Sequence, residues 1–382
     1  MESAEDQSAG PVRILTHEFA PFTGGIAVYI EETARAAASM GVDTRVWAPD
    51  YGKPSRQTFP FPVQRVPMPR GRQDWGCRRR MAMALRKSFP DGRMPGTTLL
   101  AEPGPLRLFL YPSLMRLPVP ERLVVLLHGS EAAGLARLPH RRWLLGRLLR
   151  KADRVAVISS PVGELVQRLW PGVGNKLVRV PGAVRSVWRE LPVPERVPVP
   201  EVFEILQVGR VHPRKGQHVL LEALARLPES LRGKVRVRLL GPLVRPAYAN
   251  LLMNLIRRHR IPAVLEGPVS LQALQEAYSH ADVLVMPSRA YRTSIEGFGL
   301  TLVEAQHFGC AVVGSRIGGI GETLREGETG ILVPPDNADA LAGALRELLE
   351  NPERLRAMGM AGSRFVRESF SWEGNVRRLG LA

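Results

Sequence analysis

At 382 residues, 45% of them hydrophobic, the chain is long enough to bury two cores and is expected to fold as a soluble globular protein of two domains. Cys77 and Cys310 are the only cysteines, which excludes a disulfide framework. No Cys/His cluster has metal-ligand spacing, and no run of about 18 apolar residues suggests a membrane span. The net charge of +17 is uneven, with 29 Lys and Arg against 16 Asp and Glu through residue 190 and 24 against 20 beyond it.

The first ten residues, MESAEDQSAG, are polar and acidic and lack the basic and apolar regions of a signal peptide, so a cytoplasmic location is expected. Val12 to Leu15 reads as a short strand. PFTGG then opens a helix from about Ala27 to Met40, Gly41 ends it, and Thr44 to Trp47 begins the next strand. This βαβ unit places Gly24 and Gly25 at a helix entry on the rim of a parallel sheet, where such folds bind ligands. Residues 49–76 and 88–105 are rich in Pro, Gly and Arg and read as irregular acceptor-binding segments. Leu123 to Leu127 is a buried strand ending in His128, whose imidazole is placed to hydrogen-bond a sugar or acceptor hydroxyl. Basic residues cluster over Arg70 to Lys87 and Arg137 to Arg154. The second cluster sets Trp143 among leucines and arginines at helical spacing, as an interfacial helix does, making an anionic membrane surface a candidate partner. A general surplus of arginine explains the same clusters without a membrane. Nucleic acid is not expected, because no binding motif with interleaved aromatics accompanies the charge.

Trp188 to Pro200, WRELPVPERVPVP, is dense in proline and without period, as a linker is. Alternation then resumes with a strand from Val202 to Val208 and a helix from about Gln217. Between them Arg210 and Lys215 bring two cations to one rim of a sheet, suited to stabilising a departing diphosphate. Strands follow at Val235 to Leu240, Ala263 to Leu265 and Asp282 to Met286. The last runs into PSRAYRTSIEGFGLTLVE, Pro287 to Glu304. Gly297 and Gly299 let a ligand approach the backbone, and the unpaired N–H groups of the following helix start, where Leu300 and Thr301 lie, suit a phosphate. Glu296 and Glu304 bracket this turn, and carboxylates accept from hydroxyls rather than bind phosphate. A nucleoside diphosphate sugar has the matching shape: a phosphate centre with hydroxylated rings at both ends.

The spacing of Glu296 and Glu304 around Gly-Phe-Gly-Leu resembles the E-x7-E signature of the retaining glycosyltransferases of family 4, and the extended segment before it is similar to the phosphatidylinositol mannosyltransferase type. The resemblance implies the GT-B fold, α/β with two Rossmann-like domains facing a cleft. It divides the chain into an acceptor domain over 1–187, a linker over 188–200, a donor domain over 201–370 and a final helix over 371–382 returning towards the first domain. It further implies that Arg210 and Lys215 bind the diphosphate, Phe298, Gly299 and Leu300 offer N–H groups, and Glu304 takes the ribose. Glu296 would meet the donor sugar, Gly25 approach the phosphate and His128 lie near the reacting carbon. The chain departs from the family at Pro181-Gly182-Ala183-Val184, where Pro-Asn-Gly-Val is usual, so the hydrogen bond of that asparagine is missing.

The expected function is hexosyl transfer from a nucleotide sugar to an acceptor hydroxyl with retention, the acceptor being a lipid or glycan at the inner membrane face. His128, Glu296, Arg210 and Lys215 are expected to be catalytic, with no metal and no cofactor beyond the donor. A nucleotide-sugar epimerase of the same fold and a non-catalytic lipid- or nucleic-acid-binding protein are the alternatives. A hydrolase ranks low, because Glu296 and Glu304 are separated by the phosphate turn.

Overall fold

The computed structural model describes residues 10–22, 24–52, 57–68, 74–195, 201–291 and 296–382. The acidic N-terminal residues 1–9, Thr23 of the first glycine turn, residues 70–73 of the first basic stretch, 196–200 of the proline-rich segment and 292–295 ahead of Glu296 lie outside that set.

The chain forms two compact units, one running through Pro181 and including Trp372–Ala382, the other Gly182–Ser371. The first contains β1 (Val12–Leu15), β2 (Thr44–Asp50), β3 (Val63–Pro67), β4 (Arg93–Leu100), β5 (Val119–Leu127), β6 (Arg154–Val157) and β7 (Leu177–Arg179). Their order is β3-β2-β1-β4-β5-β6-β7, with every pairing parallel. The second contains β8 (Phe203–Val208), β9 (Val235–Leu240), β10 (Ala263–Gly267), β11 (Val283–Met286), β12 (Ala311–Ser315) and β13 (Ile331–Val333), in the order β10-β9-β8-β11-β12-β13, again all parallel. Helices between parallel strands cover the sheet faces, which is why central strands such as β1 and β11 are buried at every residue. Each order reverses beside its first strand, β1 or β8, so the loops after those strands lie where doubly wound sheets place ligands.

The chain passes between units at Pro181 and Gly182, earlier than the expected boundary at 187. Trp188 is buried and packs edge-on against Tyr278 and Phe308, so the start of the supposed linker belongs to the second unit's core. At the other end, the helix Trp372–Leu379 belongs to the first unit. Trp372 meets the Tyr29 ring at 4.9 Å, and Asn375 Nδ2 donates to the Pro181 carbonyl.

Among their described residues, both segments read as irregular, 49–76 and 88–105, contain strands, and the basic stretch between them is helical. Val63–Pro67 is an edge strand, where proline is tolerated, and Trp75–Ser88 is a helix capped by Asp74. More consequentially, β4 is a central strand buried over Thr97–Leu100. Pro95 and Gly96 imitate a turn in sequence but form a bulge, with the register to β5 shifting between Met94 and Thr97. Gly96 has φ +73°, and a Cβ there would lie 2.2 Å from the Pro11 carbonyl oxygen. Gly96→Ala should therefore destabilise the protein by roughly 3 kcal/mol or more, and Gly92→Ala by only about 1 kcal/mol. Gly92 shares a positive φ, +71°, but a Cβ there meets nothing within 4 Å. Urea denaturation of the two variants measures the difference.

Candidate functional site

In the second unit, the loops after β8 and β11 are pressed together by a glycine. Gly216 has φ +68°, and a Cβ there would lie 1.9 Å from the Pro287 carbonyl oxygen. This contact brings the turn Pro213–Lys215 against Ser288 and Glu296. One oxygen of Glu296, Oε2, accepts from Lys215 Nζ at 2.9 Å, Arg214 Nη1 at 3.0 Å and Ser288 Oγ at 3.1 Å. No described residue donates to the other oxygen, Oε1. The backbone of Glu296 is fixed as well, its carbonyl accepting from Gly319 N at 3.0 Å, with Gly318 packed so closely that a Cβ would fall 2.0 Å from that carbonyl.

Two cations thus share one carboxylate. Burial pushes the Glu296 carboxyl up, but Lys215 and Arg214 outweigh it and hold it below the usual range. Burial, with help from Arg214 and Arg210, holds the Lys215 ammonium below its ordinary value against the pull of Glu296. Positive charge is therefore in excess, the condition that favours an added anion. Arg210 is exposed, and its guanidinium has no described partner. The structure therefore puts Lys215 beside Glu296 as expected of a shared site, finds Arg214 there too, and leaves Arg210 facing outward nearby.

The glycine turn leads into the helix Leu300–His307, with Gly299 as its N-cap. Gly297 is half-buried, and Phe298 is buried against Phe370, ring centroids 5.6 Å apart. Thr301 turns its hydroxyl to Met286 Sδ at 3.7 Å. Glu304, 2% exposed, is engaged at both oxygens: Oε1 accepts from Arg185 Nε at 3.0 Å and Oε2 from the Tyr278 hydroxyl at 2.8 Å. At Gly182, where the family's asparagine is absent, the side chains of Leu300 and Phe298 close on the backbone, 2.9 and 3.3 Å from where a Cβ would be.

In the first unit, Gly24 caps the helix Gly25–Ser39. A Cβ at Gly25 would meet nothing within 4 Å, so packing does not require glycine there. His128 follows β5 and is buried against the edge of Tyr29. Its Nε2 is 3.0 Å from the Ala101 carbonyl, which can only accept, so Nε2 carries the proton and Nδ1 keeps a lone pair. Burial lowers its pKa against the opposing effect of Glu131, which keeps the ring neutral.

The description "Glycosyl transferases group 1" belongs to the family model matching residues 195–365, and "Glycosyltransferase Family 4" to the one matching residues 23–186. The chain belongs to the group 1 glycosyltransferases of family 4 type. A GDP-mannose-dependent alpha-(1-6)-phosphatidylinositol monomannoside mannosyltransferase of Mycolicibacterium smegmatis is 26% identical to it over 96% of each chain. Among solved structures, a sucrose-phosphate synthase from Thermosynechococcus elongatus superposes with a TM-score of 0.78 at 21% identity, covering 97% of each chain. HepE of Anabaena, solved with UDP and glucose, gives 0.71 at 16% identity, covering 97% of this chain and 98% of its own. These likenesses establish the GT-B fold.

Sequence reasoning missed several groups at the site of this glycosyltransferase. Arg214 adjoins Lys215, and Ser288 directly follows the residue after β11, so both lay within stretches already singled out. Arg185 and Tyr278 gave no such signal. Also unforeseen is a buried polar pair at the carboxyl ends of neighbouring strands β1 and β4. Glu102, fully buried, accepts from His17 N at 2.6 Å and Gly104 N at 2.8 Å. Burial pushes its carboxyl up to about 8, and burial with Arg78 and Arg107 pushes the His17 imidazole down to about 4. Among the described residues, no group of three His, Cys, Asp or Glu is placed to hold a metal ion, and no helix is long and apolar enough to cross a membrane.

The folded-state value of Glu102 lies above that of an exposed carboxyl, so folding favours its protonated form. That contribution is complete below about pH 4 and is lost as pH rises through about 8. Thermal melts from pH 5 to 9 should show the wild type losing stability towards the alkaline end relative to Glu102→Gln, which cannot ionise. Parallel curves would contradict the assignment.

Proposed function

We propose that this glycosyltransferase moves a hexosyl group from a nucleoside diphosphate sugar to an acceptor hydroxyl with retention of configuration. The observation that carries the proposal is the Oε1 oxygen of Glu296, to which no described residue donates, held in place beside an excess of cations and next to a glycine turn that starts a helix. The diphosphate is assigned to Lys215, Arg214 and Arg210, together with the N–H groups from Gly297 to Thr301. Glu296 Oε1 accepts from a hydroxyl of the donor sugar, and Glu304 from the ribose. Gly24 and Gly25 are assigned to close approach to the phosphate, and His128, through its Nδ1 lone pair, to a sugar hydroxyl.

In the reaction, the bond between the anomeric carbon and the diphosphate oxygen breaks and the acceptor oxygen bonds to that carbon from the same face. The acceptor proton passes to the departing diphosphate oxygen. Lys215 and Arg214 supply the positive charge that the leaving group requires, so the proposal assigns no metal ion or other cofactor to the step.

The similarity to a relative named as a phosphatidylinositol monomannoside mannosyltransferase supports a lipid acceptor, and the proposal has a lipid or glycan met at the cytoplasmic face of a membrane. The helix Pro139–Lys151 supports an anionic surface as partner only in part. Leu145, Leu148 and Leu149 are buried within their own unit, leaving Trp143, 58% exposed with Arg147 over its ring, to face outward among the arginines.

Glu296→Ala should reduce transfer by about a hundredfold or more and change nucleoside diphosphate affinity far less, because the carboxylate contacts the sugar itself and reaches the phosphate only through the cations it orients. Lys215→Ala should weaken that affinity by about tenfold. Steady-state kinetics with calorimetry of GDP and UDP separates the two effects, and full turnover by both variants would contradict the proposal.

A further inference from the structure

Glu304 is more closely supported than a lone hydroxyl acceptor would be. Its carboxylate is 3% exposed, with Arg185 Nε on Oε1 at 3.0 Å and the Tyr278 hydroxyl on Oε2 at 2.8 Å. A carboxylate offers about four lone-pair positions, two on each oxygen. One position on each oxygen is therefore used and one remains. Two acceptor positions on adjacent oxygens match the two hydroxyls of a vicinal diol, the 2′ and 3′ groups of a ribose.

Both supporting donors are held by a single aromatic cluster. The Arg185 guanidinium lies 5.1 Å above the Trp188 ring. Trp188 in turn meets Tyr278 at 5.8 Å and Phe308 at 5.6 Å, edge to face, and its carbonyl is 2.7 Å from His307 Nε2. Moving Arg185 away from Glu304 would forfeit the cation–π contact as well as the ion pair. Among the described residues no other cation pairs with Glu304, so without Arg185 its charge would be buried and uncompensated, a costly state that favours turning the carboxylate out of place.

We propose that Arg185 is a specificity-determining residue of the donor site, fixing Glu304 so that the pair selects ribose over deoxyribose. The inference rests on the assignment of Glu304 to the ribose. Arg185 acts through the carboxylate and is in that sense a positioning residue. An opposing role is available to the same geometry: the guanidinium could cover the carboxylate and have to leave before a nucleotide binds.

Calorimetry of GDP and UDP, and of their 2′-deoxy and 2′,3′-dideoxy counterparts, distinguishes these roles. The wild type should prefer the ribonucleotide over the dideoxy form by about tenfold or more, as hydrogen bonds to a charged group do. Arg185→Gln should lose most of that preference by weakening ribonucleotide binding while leaving dideoxy binding nearly unchanged, a pattern that general loosening of the site would not give. Arg185→Lys should recover part of it, and Arg185→Gln combined with Glu304→Gln should lose no more than Glu304→Gln alone. Unchanged discrimination in Arg185→Gln, or tighter binding of every nucleotide, overturns the inference. Failure of the wild type to bind any of them overturns the donor-site assignment and the inference together.

Discussion

The donor-site account depends on how one carboxylate is shared. Three donors converge on Oε2 of Glu296, and two of them are cations. That arrangement fixes the side chain, leaves Oε1 available, and keeps positive charge in excess where β8 and β11 end. A simple one-to-one ion pair would be electrically complete and would have little reason to take up an anion. Here the carboxylate orients the cations without neutralising them.

Such crowding is possible because backbone approaches backbone. Gly216 lies against the Pro287 carbonyl and Gly318 against the carbonyl of Glu296 itself, at separations that leave no room for a Cβ. The site is built from loops following β8, β11 and β12, and its geometry comes from the parallel sheet that ends those strands together. The first unit follows the same rule with different chemistry: His17, Glu102 and His128 follow the adjacent strands β1, β4 and β5, where burial keeps both imidazoles neutral.

Much of this was legible in the amino-acid sequence, because strand, glycine turn and helix succeed one another locally and the chemistry lies at those junctions. The placement of the glycine turn, Lys215, Glu296 and Glu304 at the ends of parallel strands could be read for that reason. What could not be read depends on contacts distant in sequence or on residues whose local signal misleads. Arg185 meets Glu304 across 119 positions, and its role follows from Trp188 being packed in the second unit rather than lying in a linker. Arg214 and Arg210 are equivalent as letters, and only the turn Pro213–Lys215 directs one to Glu296 and leaves the other exposed. Pro95 and Gly96 disguised a central strand as a turn.

The most direct test is a crystal structure of the protein with an intact nucleoside diphosphate sugar or a non-transferable analogue. The account places a phosphate oxygen within hydrogen-bonding distance of Lys215 or Arg214 and of the N–H groups at the start of the helix Leu300–His307, with a sugar hydroxyl on Glu296 Oε1. A nucleotide bound away from those groups, or a sugar that leaves Oε1 uncontacted, would contradict it.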